Sequence, residues 1–248
     1  IVNRTIGNLF ANATIAKGLT FRSEFGMDQL NQNEDRYAGR LTARNEGVPN
    51  GSGRSSSDQI LNINTNNFLR YVTALGDNHD LDVVGGTSYQ KWQIISTSAS
   101  AEEFPSDSYK KLNAGASKTA ATSSASDWTL LSYFARANYK FKNRFLLSLS
   151  GRYDGSSRFS KHWGFFPAAS AGWIVSDESF LQNSKWLNFL KLKASYGLTG
   201  NSEIGDYASF GLYSPNAYGG LGGQVPSQLA NPDLKWEATA EINTGVDF

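Results

Sequence analysis

Asp77, His79, Asp80 and Asp82 crowd three carboxylates and an imidazole into six positions, the obvious place to look for a metal site. A hard cation takes about six to eight oxygens, and a calcium loop of the EF-hand type needs a central glycine and a distal glutamate. The segment has neither, so a solvated turn is the better reading. Asp154-Gly155-Ser156-Ser157-Arg158-Phe159 offers oxygens to calcium or a ligand. The same residue types build tight turns, with Gly free to take positive φ and Asp and Ser bonding to the local backbone, and a turn is favoured here too. Glu102-Glu103 and Asp177-Glu178 are paired carboxylates. Glycoside hydrolysis requires two carboxyls facing each other across a bond, whereas neighbours on a chain diverge. His162 with a distant Ser and Asp has no local pattern of a catalytic triad, which is a matter of geometry rather than of sequence. Gly219-Gly220-Leu221-Gly222-Gly223 lacks the Lys-Ser/Thr of a phosphate loop and reads as a flexible part of a connection. The chain has no cysteine, which removes disulfides, thiolate zinc sites and a cysteine nucleophile together. No catalytic, cofactor-binding or metal residue is therefore assigned, and the chain does not read as an enzyme.

What positions these residues is a set of strands. Within 131–141 the odd positions hold Leu131, Tyr133, Ala135, Ala137, Tyr139 and Phe141, and the even positions hold Ser132, Phe134, Arg136, Asn138 and Lys140. A period of two is the signature of a half-buried strand. After Lys142-Asn143 the alternation resumes with Phe145, Leu147, Leu149, Gly151 and Tyr153, so a tight turn joins an antiparallel pair. Similar stretches at about 4–14, 19–30, 58–74, 79–95, 164–176, 188–199 and 235–248 bring the expectation to about nine long strands, with at most one short turn of helix in 177–187.

The connections alternate in length. Residues 15–18, 75–78, 142–143 and 177–187 read as short links, whereas 31–57, 96–127, 155–163 and 200–234 read as mostly long and rich in Gly, Ser, Asn and Pro. Such loops are unusual in a compact soluble domain but are the rule on the external side of an outer-membrane barrel. No apolar run approaches the roughly 18 residues of a membrane helix, but a spanning strand needs only about 9 to 11. On the faces assigned outward, Tyr153, Phe165, Tyr196 and Trp236 fall near the long-loop ends, and Tyr139, Phe141, Phe145 and Trp173 near the short-turn ends. Two aromatic belts of this kind mark the two lipid interfaces. Trp236 then reads as an interface anchor rather than a sugar platform, and Asn231-Pro232-Asp233-Leu234 as the proline-fixed entry to the last strand. The opposite face, with Arg136, Lys140, Arg152, Asp154, Lys191, Lys193, Glu237, Glu241 and Asp247, is too charged for a dry core and suits a water-filled or plugged lumen. With 23 basic against 22 acidic residues the net charge is +1, and no global field draws the chain to nucleic acid.

From Leu131 onward the chain resembles the SusC/RagA-like branch of the TonB-dependent outer-membrane transporters. The resemblance is carried by SYFARANYKFKNRFLLSLSGRYDGSSRF (132–159), WGFFPAASAGWIVSDESFL (163–181), LKLKASYGLTGNSEIGDY (190–207) and NPDLKWEATAEINTGVDF (231–248), and more loosely by GNLFANATIAKGLTFRSEFG (7–26). It implies an all-β fold, a transmembrane antiparallel barrel of about 22 strands around a plug, of which this chain supplies about nine. Residues 1–248 are then expected to be an internal part of the barrel domain, without the plug, the signal peptide or the remaining strands. The implied function is energised uptake of a bulky nutrient, an oligosaccharide or oligopeptide, across a Gram-negative outer membrane. The implied partners are a SusD-like surface lipoprotein, the TonB complex acting through a region before Ile1, outer-membrane lipid and the glycan or peptide itself. No cofactor is implied, and no single substrate-binding residue stands out in 31–57, 96–127 or 200–234. Two other functions fit the strands alone: a passive outer-membrane pore, and a soluble all-β carbohydrate-binding or adhesive domain.

Overall fold

The computed structural model describes residues 1–42, 50–181 and 186–248. Nine strands form one sheet: β1 (Val2–Ala16), β2 (Leu19–Ala38), β3 (Ser52–Ala74), β4 (His79–Glu102), β5 (Ser117–Phe141), β6 (Phe145–Ser156), β7 (Trp163–Ile174), β8 (Lys191–Asn201) and β11 (Glu237–Asp247). They lie in chain order, with β11 beside β8, and a separate hairpin of β9 (Leu212–Tyr218) and β10 (Leu221–Gln228) is inserted between those two. By contact the chain divides into two units. The first holds residues 1–8, 26–64 and 91–128, and the second holds 9–25, 65–90 and 129–248.

The registers in the second unit follow the alternation read from sequence. Tyr139 lies opposite Leu147, Asn138 opposite Ser148 and Arg136 opposite Ser150. Leu147 in turn faces Ala171, and Ala171 faces Ala194. On the last strand Ile242 faces Tyr196 and Asn243 faces Ser195. Partners in an antiparallel ladder share a face, so one side of this sheet is apolar and the other polar across five strands. The turn between β5 and β6 sets this register: Lys142 and Asn143 both take positive φ, 49° and 57°, the geometry of a tight hairpin turn matched to strand twist. At the turn after β1, Gly18 has φ 76° and a Cβ there would stand 2.2 Å from the Val72 carbonyl oxygen, so only glycine fits.

The first unit has a small core of its own. Phe104 is fully buried and Ala101 nearly so. The Tyr37 ring meets Phe104 edge-on at 5.1 Å, and the Phe104 amide donates to the Asn50 carbonyl at 2.8 Å. A Cβ on Gly53 would lie 3.0 Å from the Phe104 ring and 3.1 Å from Leu112, which is why the strand carries glycine beneath this side chain. Tyr37 Oη donates to Asp107 at 2.9 Å, and Lys111 Nζ donates to Asp35 at 2.7 Å. Residues 103–116 are thereby tied to β2 and β3.

Several boundaries differ from expectation. β2 to β5 run far into the segments read as loops, leaving connections of 39–51 and 103–116 in place of 31–57 and 96–127. Residues 119–126, for example, carry only Ala, Ser and Thr on both faces, so hydrophobic alternation is absent although the strand continues. Part of the 31–57 reading, at 43–49, and part of the 177–187 reading, at 182–185, lies outside the described residues. The helical expectation reduces to a single 3₁₀ turn at Val175–Asp177. The connection 157–162 is short, and 175–190 is long for its end of the sheet, so the alternation of loop lengths has two exceptions. The glycine run is a structured hairpin turn: Gly219 and Gly220 have φ 56° and 81°, and Gly222 and Gly223 pair with Ala217 and Asn216.

Candidate functional site

The polar face of the second unit is laced with ion pairs. Arg70 holds Asp82 through two bonds of 3.0 and 2.8 Å, Lys140 lies 3.0 Å from Asp80, and Lys193 donates to Asp247 at 2.5 Å. Arg136 Nε donates to Asn138, whose Oδ1 also accepts from Ser148 Oγ at 2.8 Å. A concavity of about 700 Å³ opens beside these pairs, its lining mostly apolar, with Val72, Leu81, Leu146 and Ala194 alongside Asp80, Lys140 and Lys193. Most of these groups are one-third to one-half exposed, and exposed pairs contribute only about 0 to 1 kcal/mol each. Their alternating sign gives a wetted wall without a dominant field.

In the first unit positions of four strands, even-numbered apart from Thr97, line a polar concavity of about 460 Å³, with Glu34, Arg36, Arg54 and Asp58 among hydroxyls. Ser98 Oγ and Thr122 Oγ1 are 2.8 Å apart across it.

The connections of the second unit are tied to one another. Arg158 donates to Asp206 at 2.8 Å and to the Ser202 carbonyl at 3.1 Å, Ser160 Oγ donates to the Asn231 carbonyl at 2.7 Å, and Lys161 pairs with Asp233 at 2.9 Å. The Lys161 hydrogen bond, with its charge second, holds the Asp233 carboxyl below the usual carboxylate range. Phe159 is buried against the Trp236 ring at 4.9 Å.

Trp236 requires a correction. It also packs on Phe166 at 5.3 Å, and Phe166 lies opposite Arg152, on the polar face of the ladder. Its indole N–H donates to the His162 carbonyl at 2.7 Å. Trp236 precedes β11 and is not bound by its alternation, so extrapolating parity one residue past the strand end placed it on the wrong side. It fastens connections and is not a lipid-interface anchor. The apolar row at that end is instead completed by Trp163, missed in the sequence, whose ring lies 4.7 Å from Tyr153 and 6.0 Å from Tyr133.

The remaining candidates resolve individually. His79 separates from its acidic neighbours: its Nδ1 lies 2.5 Å from Tyr139 Oη and its ring 4.8 Å from Phe141, while Asp80 and Asp82 bind cations on the polar side. Among the described residues no cluster of three or more metal-ligating side chains occurs. Asp154 is buried with both oxygens engaged by Arg152 Nε at 2.7 and 2.9 Å, and Arg152 reaches Ser132 Oγ at 2.8 Å. That is a structural ion pair. His162 Nδ1 lies 3.1 Å from the Ser156 carbonyl oxygen, so its partner is backbone. Glu178 is held by Arg144 and Trp173, at 3.0 and 3.1 Å.

The sheet has one apolar face edged by aromatic rows and one charged face, and known proteins share this arrangement. The sequence model of the family described as TonB dependent receptor-like, beta-barrel, matches residues 3–248. The chain belongs to this family. It is 36% identical to TonB-dependent receptor P39 of Formosa agariphila, over 96% of this chain and 23% of that protein. It is 37% identical to TonB-dependent receptor SusC of Bacteroides thetaiotaomicron, over 75% of this chain and 19% of SusC. In the structure of the RagAB peptide transporter one chain matches with a TM-score of 0.93 and 30% identity, over 99% of this chain and 28% of that one. The chain thus spans about a quarter of the length of the TonB-dependent receptors it matches. The SusC/RagA-like resemblance read from four blocks is borne out, as is the antiparallel barrel-type sheet.

Proposed function

We propose that the chain forms part of the wall and outer loops of a TonB-energised importer in the outer membrane of a Gram-negative bacterium, taking up a bulky nutrient such as an oligosaccharide or oligopeptide. The observation that carries this reading is the split of one ladder into a face bearing Leu147, Ala171, Ala194 and Ile242 and a face bearing Arg136, Lys140, Lys193 and Asp247. Lipid accepts the first and a hydrated passage the second. The likeness to SusC and to a chain of RagAB supports an importer over a passive pore. On this reading residues 1–248 belong to a barrel domain whose plug and further strands lie elsewhere in a longer protein, the TonB complex engages that other part, and a SusD-like surface lipoprotein covers the outer loops.

The test is uptake in cells expressing the full-length protein, with a fluorescent oligopeptide mixture and a fluorescent malto-oligosaccharide series as probes. One of the two is expected to enter only when TonB is present. Entry of both at rates unaffected by loss of TonB would leave a passive pore as the function.

A further inference from the structure

The charges in the polar concavity of the first unit have an order along the strands. Ser55 Oγ donates to Asp35 at 2.6 Å and Ser23 Oγ donates to Asn67 Oδ1 at 2.7 Å, so β2 and β3 run antiparallel with 35 beside 55 and, on the other face, 36 beside 54. Arg36 and Arg54 are therefore cross-strand neighbours, and both line the concavity. Like charges directly opposite in a ladder destabilise it, and a bound anion relieves that. Arg36 Nε donates to Glu34 two residues away, whereas Arg54 is exposed and reaches only Ser98 Oγ, at 3.5 Å, the outer limit of a hydrogen bond. In the same register Glu34 lies beside Ser56, and the next residue of β3 on this face is Asp58. Asp58 has no hydrogen-bond or ion-pair partner among the described residues. The wall thus carries two guanidiniums and, about 13 Å further along β3, an unpaired carboxylate. Hydroxyls of Ser56, Ser96 and Ser124 are among the groups that complete the lining, which includes no aromatic ring.

This order selects a ligand. A sugar offers neutral hydroxyls and the flat apolar face of a ring, and the ring face finds no aromatic partner here. A polyanionic chain would meet Glu34 and Asp58 as well as the arginines and would be repelled by them. A peptide with free ends carries a carboxylate at one terminus and an ammonium at the other. Guanidinium forks take a carboxylate through two parallel bonds, and an unpaired carboxylate takes an ammonium. An extended chain spans at most about 3.3 to 3.6 Å per residue, so ends about 13 Å apart belong to a peptide of about four residues. We infer that this wall is a subsite for the two ends of a short extended peptide, its terminal carboxylate held by Arg54 and Arg36, its terminal ammonium by Asp58, and its backbone by the hydroxyls between. The inference names a substrate class within the import reading above and rests on that reading, in which the polar face lines a hydrated passage.

The experiment measures binding by calorimetry to the full-length protein as gently solubilised from the outer membrane. The probes are tetra-alanine, its N-acetylated form, its C-terminal amide, dialanine and maltotetraose. Free tetra-alanine should bind several-fold more tightly than either capped form, and more tightly than dialanine, which is too short to reach both ends. Maltotetraose should not compete. In Asp58→Asn acetylation should cease to matter while amidation still does, and in Arg54→Gln the reverse, a crossed pattern that ties each end to its own residue. Equal affinity for free and capped tetra-alanine would overturn the subsite. Absence of peptide binding, competition by maltotetraose, or capping penalties unchanged in both variants would overturn it equally. The probe series on the unsubstituted protein needs no variant to fold, and folding of each variant is checked by heat-modifiable migration. TonB-dependent entry of the malto-oligosaccharides in place of peptide would overturn the subsite and leave the importer standing. Entry independent of TonB would overturn the importer, and the binding pattern then decides the subsite on its own.

Discussion

Strands β6, β7, β8 and β11 have 12, 12, 11 and 11 residues, whereas β2, β3, β4 and β5 have 20, 23, 24 and 25. The first set is close to the roughly 9 to 11 residues a tilted strand needs to cross a bilayer, and the second is about twice that. The two sets also differ in what their outward positions carry. Leu147, Leu149 and Ala171 occupy odd positions of the short strands, but the distal parts of the long ones carry Asp35, Ser55 and Thr119 at their odd positions. Strand length beyond the crossing is thus accompanied by loss of the apolar face. What holds the distal region is different as well: one buried phenylalanine, a tyrosine packed on it and a set of tethers, in place of the lipid proposed for the short strands.

The largest effect expected from breaking this comparison is at Phe104, because the distal region has so little else in its core. Phe104→Ala removes a fully buried ring and should cost the first unit about 3 to 5 kcal/mol. The expected outcome is that residues 103–116 become cleavable by protease added to intact cells, while the full-length protein still assembles and retains heat-modifiable migration. Loss of assembly together with protease sensitivity would show that the short-strand region depends on the distal core, contrary to the division drawn here.

A somewhat smaller effect is expected on the face of the short strands proposed to meet lipid. Ala169→Arg places a cation on the apolar face near mid-strand, at about 2 to 4 kcal/mol, whereas Ser170→Arg puts the same side chain on the polar face. The yield of folded full-length protein in outer-membrane fractions should fall for the first variant and hold for the second. Equal yields would remove the basis for assigning the two faces to lipid and water.

The same contrast explains how far the sequence could be read. Alternation in 131–141 and 145–154 is strong because one parity is apolar and the other charged, and there the faces and the pairing came out as the structure has them. In 119–126 both parities carry only small residues, Ala, Ser and Thr, so the period-two signal vanishes although the backbone ladder persists. A strand is defined by hydrogen bonds, and hydrophobic alternation reports it only where one face is dry. The hairpin of β9 and β10 was hidden for a related reason. Pro215 and Pro226 argue against strands, yet this two-stranded sheet has outer edges where a missing amide donor is tolerated. Trp236 shows the opposite error, in which a clear alternation was carried one residue past the hydrogen bonds that enforce it. No candidate site could be read beyond a broad class, because the concavities draw single residues from several strands at large sequence separation.

The smallest expected effect sharpens the comparison at the tether between Lys111 and β2. Asp35 accepts hydrogen bonds from Lys111 Nζ at 2.7 Å and Ser55 Oγ at 2.6 Å, and these, the lysine first, hold its carboxyl below the ordinary carboxylate value. A carboxyl whose folded value lies below its unfolded one stabilises the fold at pH above the unfolded value, near 3.9, and loses that contribution as pH falls through the folded value. The tether should therefore be intact at neutral pH and weaken only in acid below that range. Because both side chains are well exposed, the consequence for global stability is slight. A local readout is required: the titration of the Asp35 carboxyl, followed by isotope-edited infrared or carbon NMR in the full-length protein, with Lys111→Ala as the comparison. The variant should titrate closer to the ordinary value, and protease sensitivity of 103–116 near pH 7 should rise far less than in Phe104→Ala. An unchanged Asp35 titration in Lys111→Ala would mean that Ser55 alone sets the shift and that the tether to residues 103–116 contributes nothing to holding the distal region.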